Sequence, residues 1–362
     1  MLVRRLILAA LILAAAVSVI LVLPPILATG KDLISGPISV ASVIANRGQQ
    51  LKSDNGRTNI LLLGIGDAGH DGPNLTDSMM VISFESDLSV LNRSATPSVV
   101  LISIPRDIYL DSLGGKINSA YAVGQEQSPP AGLVLAKGVA SGVTGLPIQY
   151  AIRADFSVFR KAIDMLGGVD VKVANGFDDY QYPIDGREDD NCGLTDGEIN
   201  SRLATMSAEV VFPCRYEHLH FDPGWQHMDG ATALKFVRSR HATGEEGTDF
   251  ARAGRQQLIM AAVRDKIFSI DNLLNPSRLV DVYNQFKKGV DTDINPSEYG
   301  AFLNVAMHFR TAKIDSAVLD MKFFDNPPVD SRGWILLPKG GGWDEVHQFV
   351  RETIASSSAG LK

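Results

Sequence analysis

An uninterrupted uncharged run from Leu6 to Leu27 constrains the fold of this chain before any other feature does. Its 22 residues match the ~20 that a helix needs to cross a hydrocarbon layer roughly 30 Å thick. Arg4 and Arg5 precede the run, and only Lys31 beside Asp32 follows closely. That asymmetry favours a cytoplasmic N-terminus and a body outside the cytoplasm. A cleaved secretory signal is the alternative, but such signals have a shorter apolar core and a small-x-small cleavage site. Pro24 and Pro25 lie near the outer end, where membrane helices tolerate a kink. The expected organisation is a cytoplasmic tip over residues 1–5, a single-pass cell-membrane anchor over 6–27, a small-residue polar linker over 28–57 and one extracytoplasmic domain over 58–355.

The rest of the chain is rich enough in apolar residues to bury a substantial core, with 45% of 362 residues apolar and 21% charged. A formal net charge of -7 gives no reason to expect a nucleic-acid partner, so any anion site must come from locally clustered arginines. In an oxidising compartment Cys192 and Cys214 read as one disulfide closing a surface loop, on the order of 3 kcal/mol by the loop-entropy model. Two free thiols are the alternative. No CxxC pair or Cys/His cluster points to zinc.

Short apolar runs at Asn59–Gly64, Met79–Phe84 and Ser98–Ile104, each bounded by turn residues, suit strands covered on both faces. A helix over 131–141, a strand over 148–153, a helix over 156–166 and a strand over 169–173 follow. Asp155 is placed to cap the second helix and Gly167 to end it. Residues 175–227, richer in Asp, Gly, Tyr and Pro, read as an excursion from the main sheet. Helices are expected over 229–237, 249–269, 276–288 and 296–309, a late strand over Gly333–Pro338, and a last helix over 343–355. This pattern predicts an α/β layered domain.

Gly64-Ile65-Gly66-Asp67-Ala68-Gly69 fits the dinucleotide fingerprint G-x-G-x-x-G and follows a strand, but it runs on to a second strand rather than opening a helix. Asp77 in Leu75-Thr76-Asp77-Ser78 and Arg106-Asp107 after the third run both sit at strand ends, where sites gather in layered α/β sheets. Lys116 follows in Gly115-Lys116-Ile117-Asn118. Arg238 and Arg240, read as one extended segment, would point to the same side. Asp249 is a natural helix cap, and Arg252 and Gln256 share a face near the positive helix end. Two arginines from that extended segment and one from the helix start would make a receptor for phosphate, whose oxygens guanidinium forks match in pairs, and four arginines lie in the 18 residues from Arg238 to Arg255. A solvated helix face of ion pairs is the plainer alternative.

The ordered series NILLLG, LTDSMMV, SIPRDIYL, GGKINSAY, FRKAIDMLGGVDVKV, MDGATALKFVRSRH and DFARAGRQQ resembles the LytR-CpsA-Psr family across roughly residues 58–350. That resemblance implies a single α/β/α domain with a mixed central sheet and a pocket for a polyprenyl pyrophosphate, its tail in an apolar tunnel. It implies a bacterial phosphotransferase that moves a teichoic-acid-like glycopolymer phosphate from its lipid carrier to a cell-wall acceptor, peptidoglycan, releasing polyprenyl phosphate. A pyrophosphate hydrolase and a non-catalytic surface protein that binds lipid-linked glycan are the rival readings. By motif, Arg106, Arg238, Arg240, Arg252, Arg255 and Gln256 would surround the pyrophosphate, with Asp107 and Lys116 in the same pocket. Asp107 would either orient or deprotonate the acceptor hydroxyl or hold Arg106. Asp77 would bind Mg²⁺, or Mn²⁺ in its place. The family's G-x-D position is Gly66 here, so the second metal ligand lies among Asp67, one residue late, His70 and Asp71.

Overall fold

A computed structural model describes residues 50–66, 74–87, 98–248, part of 251–266, 289–308 and 313–359. The chain passes in order through β1 (Arg57–Ile65), β2 (Thr76–Glu85), β3 (Ser98–Ile104), α1 (Ala120–Gln127), α2 (Pro129–Thr144), β4 (Tyr150–Asp155), α3 (Phe156–Met165), β5 (Val169–Val173), β6 (Phe177–Pro183), α4 (Asp196–Leu203), β7 (Tyr216–Phe221), β8 (Gly224–Met228), α5 (Gly230–Arg238), β9 (Val290–Thr292), α6 (Tyr299–His308), β10 (Lys313–Val318) and α7 (Asp344–Ala359). The predicted anchor over 6–27 and helix over 276–288 lie outside the described residues, as do Asp67, His70, Asp71, Asp249 and Gln256. No helix among the described residues is long and apolar enough to cross a membrane.

The apolar runs become the middle of a six-stranded sheet ordered β9-β4-β1-β2-β3-β10. β1 lies antiparallel to β2 and parallel to β4, and β3 lies antiparallel to β2 and parallel to β10, so the sheet is mixed. Successive residues of a strand face opposite sides, and both Ile60 and Leu61 are fully buried, so both faces of the sheet are covered. Leu61, Leu63, Val81 and Ile102 pack with Tyr121 of α1, Ala136 and Ala140 of α2 and Val350 of α7. On the other face, the ring of Tyr150 meets Phe302 of α6 edge-on with centroids 5.0 Å apart. The layers are therefore α/β/α.

Helix α3 starts where its cap predicts, because the Asp155 carboxylate accepts the backbone N–H of Val158 at 2.9 Å. It packs against α5 at closest range, since a Cβ on Gly230 would lie 2.0 Å from the Arg160 carbonyl oxygen. With β5 to β8, these helices enclose a second core containing Phe177, Phe221 and Phe236. The strand over 169–173 thus departs from its expected place in the main sheet. It pairs with β8, and β6 pairs with β7, so the excursion begins at β5. Cys192 and Cys214 form a disulfide, with Cα atoms 5.6 Å apart, across the loop that carries α4.

The late strand expected over Gly333–Pro338 contracts to Leu337–Pro338, paired with Phe324–Asp325. Gly333 turns the chain at φ +75°, and Pro338 has no N–H to extend a ladder. The backbone of Leu336 instead braces the loop after β3, donating to the Asp107 carbonyl at 2.9 Å and accepting from Tyr109 at 2.9 Å. The edge strand β10 was not anticipated from the sequence.

Candidate functional site

The C-terminal ends of β4, β1, β3 and β10 share one edge of the sheet, where β2 begins, with Ile65 opposite both Thr76 and Asp155. Ligand sites of layered α/β sheets gather at such carboxyl ends. The β1–β2 register slips between Gly64 and Ile65. A Cβ on Gly64 would sit 2.3 Å from Ser78 Oγ, so the glycine allows the close approach that carries Asp77 to the edge.

Four charged side chains converge there. Arg106 Nη1 donates to Asp77 Oδ1, and Arg106 Nε lies 3.6 Å from Asp107 Oδ2. Asp107 Oδ1 accepts from Lys116 Nζ at 2.8 Å. All four side chains remain 19–33% exposed, so they are held yet reachable. The loops beneath them are tied by backbone bonds from Ile117 to Ile108 at 2.7 Å and from Asn118 to Arg106 at 3.3 Å, while Thr76 Oγ1 donates to the Asn118 carbonyl at 3.1 Å. Three separate sequence motifs thereby become one cluster of alternating charge.

A second network at the same edge was not singled out from the sequence. Arg153 pairs in register with Leu63, donates from Nε to Tyr121 Oη at 3.3 Å and from Nη1 to the Gly289 carbonyl at 3.1 Å. Tyr121 donates to Asp291 Oδ2 at 2.8 Å, and burial pushes the phenol's pKa up. A charge closing the apolar run of β4 was the available clue.

The arginine-rich segment corrects one expectation. Arg238 is the last residue of α5, and the chain leaves the helix at Ser239, so Arg238 and Arg240 do not share an extended segment. The Arg238 guanidinium lies 4.9 Å from the ring centre of Phe156, and its Nη1 donates to Asp185 at 3.2 Å. Phe156 directly follows the last residue of β4, which brings Arg238 beside the sheet edge. Arg240 is exposed and Arg252 half-buried. Arg255 is turned inward instead of toward a ligand, with only 3% of its side chain exposed. It donates to the carbonyls of Phe236, Ser239 and Glu246 at 2.6–2.9 Å and to Glu246 Oε2 at 3.0 Å. Its burial lowers its pKa.

Asp179, fully buried and missed in the sequence, shapes the turn between Arg238, whose side chain is 15% exposed, and the exposed Arg240. Its Oδ2 accepts from Ser239 Oγ at 2.6 Å and from the His241 N–H at 3.3 Å. Beside the charged cluster, Leu110 pairs with Gly115 in the ladder that carries Lys116. Leu110 also opens an apolar groove of about 530 Å³ along α2, lined by Val134, Leu135, Val139 and Trp343.

Comparisons with known proteins agree with this architecture. The polyisoprenyl-teichoic acid–peptidoglycan teichoic acid transferase TagU of Bacillus anthracis is 28% identical over 276 residues, covering 72% of each chain. The crystal structure of Bacillus subtilis TagV superposes with a TM-score of 0.52 at 22% identity, covering 84% of this chain and 99% of that one. TagT bound to LI-WTA superposes at 0.50 and 19% identity, covering 85% and 98%. The sequence profile of the LytR_cpsA_psr family matches residues 38–330, and the chain belongs to that family.

Proposed function

We propose that this protein transfers a glycopolymer phosphate from a polyprenyl-pyrophosphate carrier to peptidoglycan, releasing polyprenyl phosphate. The observation that carries this reading is the convergence of Asp77, Arg106, Asp107 and Lys116 at the sheet edge, next to an apolar groove. Phosphoryl transfer needs positioning and charge neutralisation above all. An acceptor hydroxyl attacks the phosphorus next to the glycopolymer, and the bond to the leaving polyprenyl phosphate breaks. Arg106 and Lys116 stabilise negative charge on the phosphate oxygens, while Asp107 holds both cations in place. Arg238, Arg240 and Arg252 supply further cations from the second segment. The groove along α2 accommodates the prenyl chain.

The donor set at Asp77 fits a hard cation, because its Oδ2 is not engaged by any described residue and such ions favour carboxylate and phosphate oxygens. Asp77 would hold Mg²⁺ or Mn²⁺, with Asp67, His70 or Asp71 as the second ligand. When bound, the ion adds charge neutralisation at the pyrophosphate. The run over 6–27 anchors the domain at the outer face of the cell membrane, within reach of its lipid carrier.

Incubating the full chain with lipid-linked glycopolymer, with and without peptidoglycan, tests the reading. The expected product is glycopolymer joined to peptidoglycan through a phosphodiester. Release of free phosphorylated glycan at the same rate with and without acceptor would assign hydrolysis instead.

A further inference from the structure

The network around Arg153 has no part in the transfer reading, yet the sheet register sets a cation beside the same site. Arg153, Leu63, Met79 and Ile104 lie in register as one row across β4, β1, β2 and β3. Ala151, two residues before Arg153, packs in one core with Leu63, Met79 and Ile104, so Arg153 projects to that same sheet face. Asp77 and Arg106 each lie two residues from this row, on the side of the sheet edge. Lys116 and Tyr121 are joined by one helical stretch through the 3₁₀ turn Ile117–Ser119, which rises at most about 10 Å. The charged cluster and the Arg153 network are therefore neighbours.

The Arg153 side chain is only 18% exposed, yet no carboxylate is in hydrogen-bond contact with it. Its Nε and Nη1 donate to uncharged oxygens, those of Tyr121 and of the Gly289 carbonyl, and its Nη2 has no hydrogen-bond partner among the described residues. Asp155 Oδ2 stands 3.9 Å from Nη1, and the other oxygen of that carboxylate caps α3 through Val158 and Ser157. Arg255, by contrast, meets Glu246 at 3.0 Å. A largely buried cation without a close anion is costly, and a bound anion offsets that cost. Gly289 stands beside Asp155, the last residue of β4, so the guanidinium reaches up to the edge. Tyr121 Oη fixes it there by accepting from Arg153 and from Gln125 at 2.8 Å while donating to Asp291 at 2.8 Å, which fills the hydroxyl's bonding capacity.

On the transfer reading, a diphosphate that touches both Arg106 and Arg238 crosses the ends of β1 and β4, and so passes Arg153. We propose that Arg153 is a further binding residue for the carrier's diphosphate, contacting the phosphate farther from Arg106, and that Tyr121 is its positioning residue. Three strand spacings, about 14 Å, separate β4 from β3, so Arg106 and Arg153 converge on two linked phosphates rather than on one. The site then favours the diphosphate carrier over the monophosphate that transfer leaves behind.

The assignment rests on the transfer reading, and binding of farnesyl diphosphate and farnesyl monophosphate to the full chain in detergent micelles tests it. Arg153→Gln should weaken the diphosphate about tenfold or more and the monophosphate less than about twofold, and Arg153→Lys should recover part of the loss. Tyr121→Phe keeps the ring and should weaken the diphosphate about threefold, with no further loss in the Arg153→Gln background. Thermal melts of each variant verify folding. Equal losses on both ligands, or unchanged diphosphate affinity in Arg153→Gln, would overturn the assignment and leave the transfer reading standing. A parent that binds neither ligand would defeat both.

Discussion

Arg106 and Arg255 both face carboxylates, yet Arg106 keeps 33% of its side chain exposed and Arg255 only 3%. Around Arg106, two acids and two bases alternate at an open sheet edge, so its partners hold it without closing it off. Arg255 is surrounded by the last carbonyls of α5 and the turn after it, where a cation complements the negative helix end. Arginines from one sequence cluster thus differ in burial, from Arg255 through Arg238, whose side chain is 15% exposed, to the exposed Arg240, with Arg255 underpinning the turn between the other two. What separates them is burial and the number of carbonyls each meets, neither of which the count of arginines reveals.

The largest effect expected from this contrast is on stability. Arg255→Ala leaves buried carbonyls and Glu246 without their donor and should cost about 3 kcal/mol, read as a lower denaturant midpoint. Arg106→Ala, at a half-open ion pair, should cost under ~1 kcal/mol. Equal losses would erase the distinction between the two regions.

Activity should divide the other way. Asp77→Ala is expected to abolish transfer while shifting the unfolding midpoint little, and chelation of divalent ions should have the same effect on the parent. Full activity in chelator, or in the Asp77→Ala protein, would mean that the arginines alone neutralise the phosphates. Arg238→Ala should weaken binding of the lipid carrier about tenfold or more through loss of a charge-assisted bond of roughly 1.5–3 kcal/mol. Unchanged carrier binding with reduced stability would move Arg238 into the same class as Arg255.

The smallest effect concerns the ribbon that carries Asp179. Hydrogen bonding to Asp178 and then Asp222 raises the His220 pKa above its ordinary 6.5, and His220 and His218 hold the Asp178 carboxyl below its usual range. The His220 contribution is therefore complete below about 6.5 and is lost as pH rises through its raised value. The Asp178 contribution is present above its ordinary value of 3.8 and is lost as pH falls through its depressed one. NMR titration should give a His220 midpoint above 6.5, and a midpoint at or below that value would contradict the paired geometry.

The middle of the sheet was legible in the sequence because strands covered on both faces need continuous apolar runs, and Asn59–Gly64, Met79–Phe84 and Ser98–Ile104 are such runs. The cap at Asp155 was equally local. β10 was missed because Lys-Ile-Asp-Ser-Ala-Val is neither a continuous apolar run nor a clean polar–apolar alternation, and only its pairing with β3 shows it to be a strand. Of the site, Asp77, Arg106, Asp107 and Lys116 were readable as residues flanking strands or in a following loop. The supporting roles of Asp179 and Arg255 rest on partners 60 and 16–19 residues away, and no spacing rule conveys such contacts.

In the proposed function the two charged regions grip one pyrophosphate at the edge of the sheet. A crystal structure of the full chain with a polyprenyl-pyrophosphate glycolipid tests it most directly. Phosphate oxygens are expected within hydrogen-bond reach of both Arg106 and Arg238, with a prenyl chain running along α2 past Trp343. A pyrophosphate bound elsewhere, with Arg106 still closed on Asp77 and Arg238 on Asp185, would contradict it.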